Sequence, residues 1–174
     1  MSYVSQILGV AILTCSVAAA VAQDSTTEVL RDAQQLADCA KALDATCVIQ
    51  LSDAASYERI ASPEAHFNFA QSQSRFYAGM RRNGYQYTRF DVYAPSVMFS
   101  GDDNLYAFVP YVDTLEIPGH ATNEVRAFFI AISRDAGNSW KFVDAEGLTP
   151  ENLKKIIPSY SEQPLPIVHT TESQ

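Results

Sequence analysis

The segment that most narrows the possible folds is Ala127–Asp144, AFFIAISRDAGNSWKFVD, which reads as two strands joined by a tight loop. In the first strand Phe128, Ile130 and Ile132 alternate with Phe129 and Ala131, so both faces are largely apolar. Such a strand belongs centrally in a covered sheet. In the second strand Trp140, Phe142 and Asp144 share one face while Lys141 and Val143 share the other. The loop places Ser133, Asp135, Gly137 and Trp140 in an SxDxGxxW spacing. A short aspartate can accept backbone N–H bonds inside the turn, and glycine can adopt the positive φ that closes it. Trp140 can then fold over the turn as an apolar lid.

That spacing resembles the Asp-box, a hairpin best known from the blades of sialidase-type propellers. There the box is a structural turn away from the catalytic site, so the resemblance carries no glycosidase chemistry. A propeller needs a repeat of roughly 40–50 residues per blade, whereas SRDAGNSW occurs once. Ser133, Asp135, Gly137 and Trp140 are therefore read as a structural turn.

Upstream of the hairpin the sequence changes character twice. Met1–Ala22 has no charged side chain, carries an apolar run, and ends in Ala20-Val21-Ala22. This pattern reads as a secretory signal peptide cleaved after Ala22, with an uncleaved anchor and lipidation at Cys15 as the alternatives. The remainder, 23–160, has the length of a single domain, with 161–174 as an extended or disordered tail. The net charge of −8 argues against a nucleic-acid footprint, and no run of lysine and arginine overturns it. The expected location is secreted or periplasmic, with no stable membrane insertion after cleavage. In an oxidising compartment Cys39 and Cys47 pair as a disulfide, the alternative being two buried thiols. On a continuous helix eight residues would hold the Cα atoms about 12 Å apart, against the less than about 7 Å a bridge tolerates. A bridge therefore demands a helix break, at Leu43–Thr46.

Val29, Ala33, Leu36, Ala40 and Leu43 form a single helical stripe from Glu28 onward, with Thr26 or Thr27 available as cap. Val48 and Leu51 suggest a short second helix, and the polar passage after it is anchored by Tyr57 and Ile60. Ser62-Pro63-Glu64 predicts a helix start, with Asn83-Gly84 ending it near Arg82 and Phe69, Phe76, Tyr77 and Met80 as its apolar side. From Tyr85 the period becomes two, with Tyr85, Tyr87, Arg89, Asp91 and Tyr93 on one face and Phe90 and Val92 on the other. A long strand follows over Leu105–Ile117, where Pro110 calls for an edge or a bulge. Thr149-Pro150 opens a last short helix that Pro158 closes.

Helices followed by an antiparallel meander give an α+β fold: amino-terminal helices on a curved sheet of about four strands, and a short carboxy-terminal helix. This order, with VPYV at 109–112, AISRDAGNSWKFVD at 131–144 and LKKIIP at 153–158, resembles small secreted bacterial proteins of the nuclear transport factor 2-like, or cystatin-like, superfamily. The resemblance implies a cone-shaped cavity between helix and sheet, and no particular activity. Enzymes of that superfamily often use one aspartate or an Asp/His pair, so Asp91, Asp113 and Arg126 are the catalytic candidates. No catalytic residue is singled out, and solvated or strand-pairing charge is the plainer reading of all three.

His66, His120 and His169 have no carboxylate or cysteine at metal-ligand spacing and read as surface histidines. Neither a metal nor a cofactor is expected. The tyrosines Tyr87, Tyr93, Tyr106 and Tyr111 fall on strands, where a concave sheet would turn them into a binding surface. The expected function is thus a non-catalytic binding domain for a small apolar ligand or a protein partner, compatible with a homodimer. The alternatives are a cavity enzyme of isomerase or dehydratase type using a buried aspartate, and an acidic inhibitor or immunity-type protein.

Overall fold

In the computed structural model, which describes residues 15–61 and 67–160, the chain is α+β. Its amino-terminal helices precede a five-stranded antiparallel sheet and a short carboxy-terminal helix. The predicted leader lies outside the described residues up to Thr14, as do Ser62-Pro63-Glu64, His66, His169 and the tail 161–174.

Helix α1 spans Cys15–Lys41. It passes straight through Thr26 and Thr27, so neither caps it; the backbone there is already helical. Val29, Ala33, Leu36 and Ala40 of the predicted stripe are its buried face, and Leu43, just past its end, is buried as well. The chain reverses at Leu43, whose φ of +52° is left-handed. Asp44 then caps α2, Ala45–Leu51, by accepting from the Cys47 N–H at 3.1 Å. This reversal brings Cys39 and Cys47 to a Cα separation of 5.8 Å, and they form a disulfide.

The polar passage that follows is a third helix, α3 over Ala54–Ile60. Just before it Ser52 bridges Phe142 in parallel, and the Asp53 N–H donates to the Phe142 carbonyl at 2.8 Å. Helix α4 runs Phe69–Arg82. Phe67 and Asn68 are not helical, so the predicted helix is shorter than expected: Asn68 caps it, accepting from Gln71 N–H at 2.8 Å. Phe69, Tyr77 and Met80 form its buried side, while Phe76, one helical repeat after Phe69 and on the same line, is 53 % exposed where that line reaches the open cavity.

The strands are β1 (Gln86–Val92), β2 (Val97–Gly101), β3 (Asn104–Glu116), β4 (Asn123–Ser133) and β5 (Lys141–Asp144). Both β1 and β2 pair antiparallel with the same side of β3, so they are two halves of one interrupted edge strand. The sheet thus has five strands yet is four positions wide. The interruption explains Pro110, which sits in the central strand β3 rather than at a sheet edge. Its carbonyl accepts from the Tyr93 N–H, and a strand residue turns its nitrogen to the same side as its carbonyl. The missing donor therefore faces the gap between β1 and β2, where no ladder bond is lost.

Both sheet faces are covered. On the inner face Phe90, Val109, Tyr111, Phe129 and Phe142 pack beneath α1, α2 and α4. On the other face Tyr106, Phe108, Ile130, Ile132 and Val143 pack against Leu153, Ile156 and Ile157. Helix α5, Pro150–Ile156, supplies that second cover and is capped by Thr149. Burying both clusters is the main source of cohesion, each large side chain contributing about 1.5–3 kcal/mol.

Candidate functional site

Between the inner face and the helices lies a cavity of about 420 Å³. Leu36 and Ala40 of α1, Val48 of α2, Tyr57 of α3 and Phe69 and Tyr77 of α4 form its helical wall. Tyr87, Phe90, Phe129 and Phe142 of the sheet form its floor. The lining residues Ser72, Phe76 and Glu146 are exposed, which puts the mouth between α4 and the chain after β5.

The floor depends on a β-bulge. Tyr87 pairs with Leu115 and Arg89 with Thr114, leaving Thr88 as an extra residue. An extra residue shifts the alternation by one, so Tyr87 and Phe90 share a face, with ring centroids 5.5 Å apart. Strict alternation would have put them on opposite faces. Tyr93 is left 40 % exposed, where its hydroxyl accepts from Arg89 at 3.3 Å.

Three carboxylates line the cavity: Asp113 on β3, Asp144 at the end of β5 and Glu146 just after it. Asp144 is held on several sides. Its Oδ1 accepts from the Tyr111 hydroxyl at 2.8 Å and from the Glu146 N–H at 2.9 Å, and its own N–H donates to the Tyr57 hydroxyl at 2.8 Å. Burial nonetheless pushes its pKa up, and the same holds for Glu146, with Asp144 adding its charge. Asp113 stands differently. It is 7 % exposed and lies across from Phe90 on one side and Val125 on the other. Among the described residues no donor reaches its carboxylate; burial first, then the charges of Glu146 and Asp144, raise its pKa to about 7.

The surrounding phenols stay protonated. Burial pushes Tyr77 up to about 12 and raises Tyr57, Tyr87 and Tyr111 further. The cavity is thus a ring-walled space in which, among the described residues, carboxylates are the only ionised groups. Among the described residues no lysine, arginine or histidine lines it. The three acids do not converge as metal ligands either: among the described residues no group of three or more His, Cys, Asp or Glu could hold a metal ion.

Of the four tyrosines expected to bind, the structure brings Tyr87 to the cavity and sets Tyr111 in the same inner cluster, bonded to Asp144. Tyr106 points to the opposite face, where it stacks on Phe99 at 5.4 Å, and Tyr93 lies outside. Of the catalytic candidates only Asp113 faces the cavity. Asp91 pairs with Arg89 at 2.6 Å and Arg126 with Glu124 at 2.8 Å, both exposed. His120 is exposed in the turn after β3. The sequence reading passed over Asp144, Glu146, Tyr57 and Tyr77. For Asp144 the signal was present: a carboxylate on the same strand face as Trp140 and Phe142.

The predicted turn is a closed hydrogen-bond system at the other end of the sheet. The Ser133 hydroxyl donates to Asp135 Oδ1 and accepts from the Gly137 N–H, both at 2.8 Å. Asp135 also accepts from the Ser139 N–H at 2.9 Å and the Ser139 hydroxyl at 2.6 Å. Gly137 has a φ of +94°, and a Cβ there would meet the Ser25 hydroxyl. Trp140 is 1 % exposed and its Nε1–H donates to the Gly137 carbonyl at 3.2 Å.

The chain matches no protein-family model, no curated protein and no solved structure. What the fold and site define is an α+β protein with a ring-lined, acidic cavity between helices and sheet. Among the described residues no helix is long and apolar enough to cross a membrane.

Proposed function

We propose that this chain is a secreted or periplasmic binding domain that takes a small, mostly apolar molecule into the cavity beneath α1, α2 and α4. The observation that carries this reading is the cavity itself: about 420 Å³, within the size range of small-molecule sites, walled by rings and furnished with a few convergent polar groups. An exported location is supported by the leader-like Met1–Ala22 and by the Cys39–Cys47 disulfide. Helices laid on an antiparallel sheet with a cavity between them also support placing the chain in the nuclear transport factor 2-like superfamily.

Native mass spectrometry of protein purified gently from its own secretory compartment tests the binding reading. A discrete added mass that Phe129→Trp diminishes is the expected result, since the larger ring would fill the floor. A bare mass, with a protein partner recovered instead, would overturn it.

One observation favours a second reading, in which the bound molecule is also transformed. Asp113 is a buried carboxylate with a pKa near 7 facing an open cavity, as a general base working at neutral pH requires. Isomerase or dehydratase chemistry would begin with proton abstraction by its carboxylate. Recovering the ligand from D₂O after incubation decides this: deuterium incorporated by the wild type and lost in Asp113→Asn supports it, and no exchange sinks it.

A further inference from the structure

We propose that the cavity selects an organic cation: an apolar body topped by an ammonium head that seats among Asp113, Asp144 and Glu146. This rests on the reading of the cavity as a binding site and names its ligand class.

The first argument comes from the other buried acids. Asp32, Asp53 and Asp113 are the buried carboxylates among the described residues. Asp53 receives two bonds from the Arg134 guanidinium and one from Ser56. Asp32 receives Arg31 and the Trp140 N–H. Asp113 receives none. A buried charge left without a partner is costly, and a site that keeps one has its partner arrive from outside.

The second argument is the company Asp113 keeps. Asp144 and Glu146 reinforce its charge rather than offset it, and among the described residues no cationic side chain lines the space. A carboxylate ligand would meet repulsion from all three acids. A neutral ligand would leave that repulsion in place. An ammonium relieves it.

The third argument is the wall. Tyr77, Tyr87 and Phe90 line the same space as the acids, and ring faces attract cations most strongly when the pair is desolvated. Among the described residues the acids are not grouped to ligate a metal ion.

A matched set of probes tests this: 4-phenylbutylamine, 4-phenylbutanol and 4-phenylbutyrate, titrated into the full-length protein by calorimetry at pH 8. The amine is expected to bind at least tenfold more tightly than the alcohol, and the carboxylate most weakly. Asp113→Asn is expected to abolish the gap between amine and alcohol, and Glu146→Gln, at the exposed mouth where folding is not at stake, to narrow it. An alcohol that binds as well as the amine overturns the cation inference while the cavity stands as a binding site. An amine whose preference survives in both variants overturns it as well. Failure of all three probes to bind overturns the inference together with the binding reading.

Discussion

Asp53 and Asp113 are buried to nearly the same depth, 4 % and 7 % exposed, yet they stand in opposite electrostatic circumstances. Asp53 lies at the edge of β5, where Arg134 from the hairpin loop grips both its oxygens at 3.1 Å and ties the start of α3 to the turn. Asp113 lies on the cavity floor with like charges for neighbours. In the first region every buried polar group described has a counterpart: Ser133 with Gly137, Asp32 with the Trp140 N–H, Trp140 Nε1 with a carbonyl. In the second the strongest buried group has none. Folding alone favours the first arrangement, because an unsatisfied buried charge lowers stability. The second persists against that cost, which is why the proposed binding is placed in the cavity and not in the more elaborate hairpin.

The largest effect is expected where matching is complete. Trp140→Ala removes a nearly fully buried ring and is expected to lower stability by about 3–5 kcal/mol; an unchanged urea midpoint would show that the indole is not the lid of the turn. The two aspartates should then differ in sign. Asp53→Asn gives up the bidentate pair and is expected to cost about 2 kcal/mol. Asp113→Asn is expected to stabilise the protein at pH 8 by roughly 2 kcal/mol, since it removes a charge that nothing offsets.

The pH dependence sharpens the contrast. The Asp113 carboxyl loses its proton near 3.8 in an unfolded chain and near 7 in the folded one. Between those values the folded state holds the extra proton, so stability falls as pH rises through the window and levels off above it. The gain from Asp113→Asn should therefore be absent near pH 4, grow toward pH 7 and be complete at pH 8. Asp144 and Glu146, raised in the same direction, steepen the fall in both proteins, while Tyr57, Tyr77 and Tyr87 stay neutral across the range. Urea midpoints of the two proteins measured across pH 4–8 would collapse the comparison if they ran parallel.

The hairpin was legible in the sequence because its constraints are local. Ser133, Asp135, Gly137 and Trp140 act on one another within a few residues, so their spacing alone specifies the turn. The break forced by Cys39 and Cys47 was readable for the same reason: a helix cannot close that distance. The cavity was not readable because it is assembled by register. Asp144 reaches it because β5 pairs Asp144 with Phe129, and Asp113 because β3 pairs it with Phe90 across a bulged β1. Nothing in the string YQYTRFDVY announces that Thr88 is the extra residue, and without the bulge Tyr87 sits with Tyr93 on the wrong face. Pro110 misled in a related way. Proline forbids a ladder bond on one side only, and the gap between β1 and β2 that absorbs it depends on how distant strands line up.

The smallest effect separates structure from function at the turn. Asp135 is exposed, yet the Ser139 hydroxyl, the Ser139 N–H and the Ser133 hydroxyl together hold its carboxyl down at about 2. Asp135→Ala frees those donors and is expected to cost about 1–2 kcal/mol. Because Asp135 is exposed and water can solvate the freed donors, the loss is expected at the lower end of that range. Here the proton is held less tightly in the folded state than in the unfolded one, whose value is 3.8. The stabilisation is therefore present in full above that value and drains away as pH falls through 3.8 toward 2, so the variant and the wild type should converge in acid. The turn lies at the other end of the sheet from the Asp113 carboxylate, so amine binding in Asp135→Ala should match the wild type at pH 8. A variant that kept its urea midpoint but lost binding would move the functional centre from the cavity to the hairpin, and with it the meaning of the unpaired Asp113.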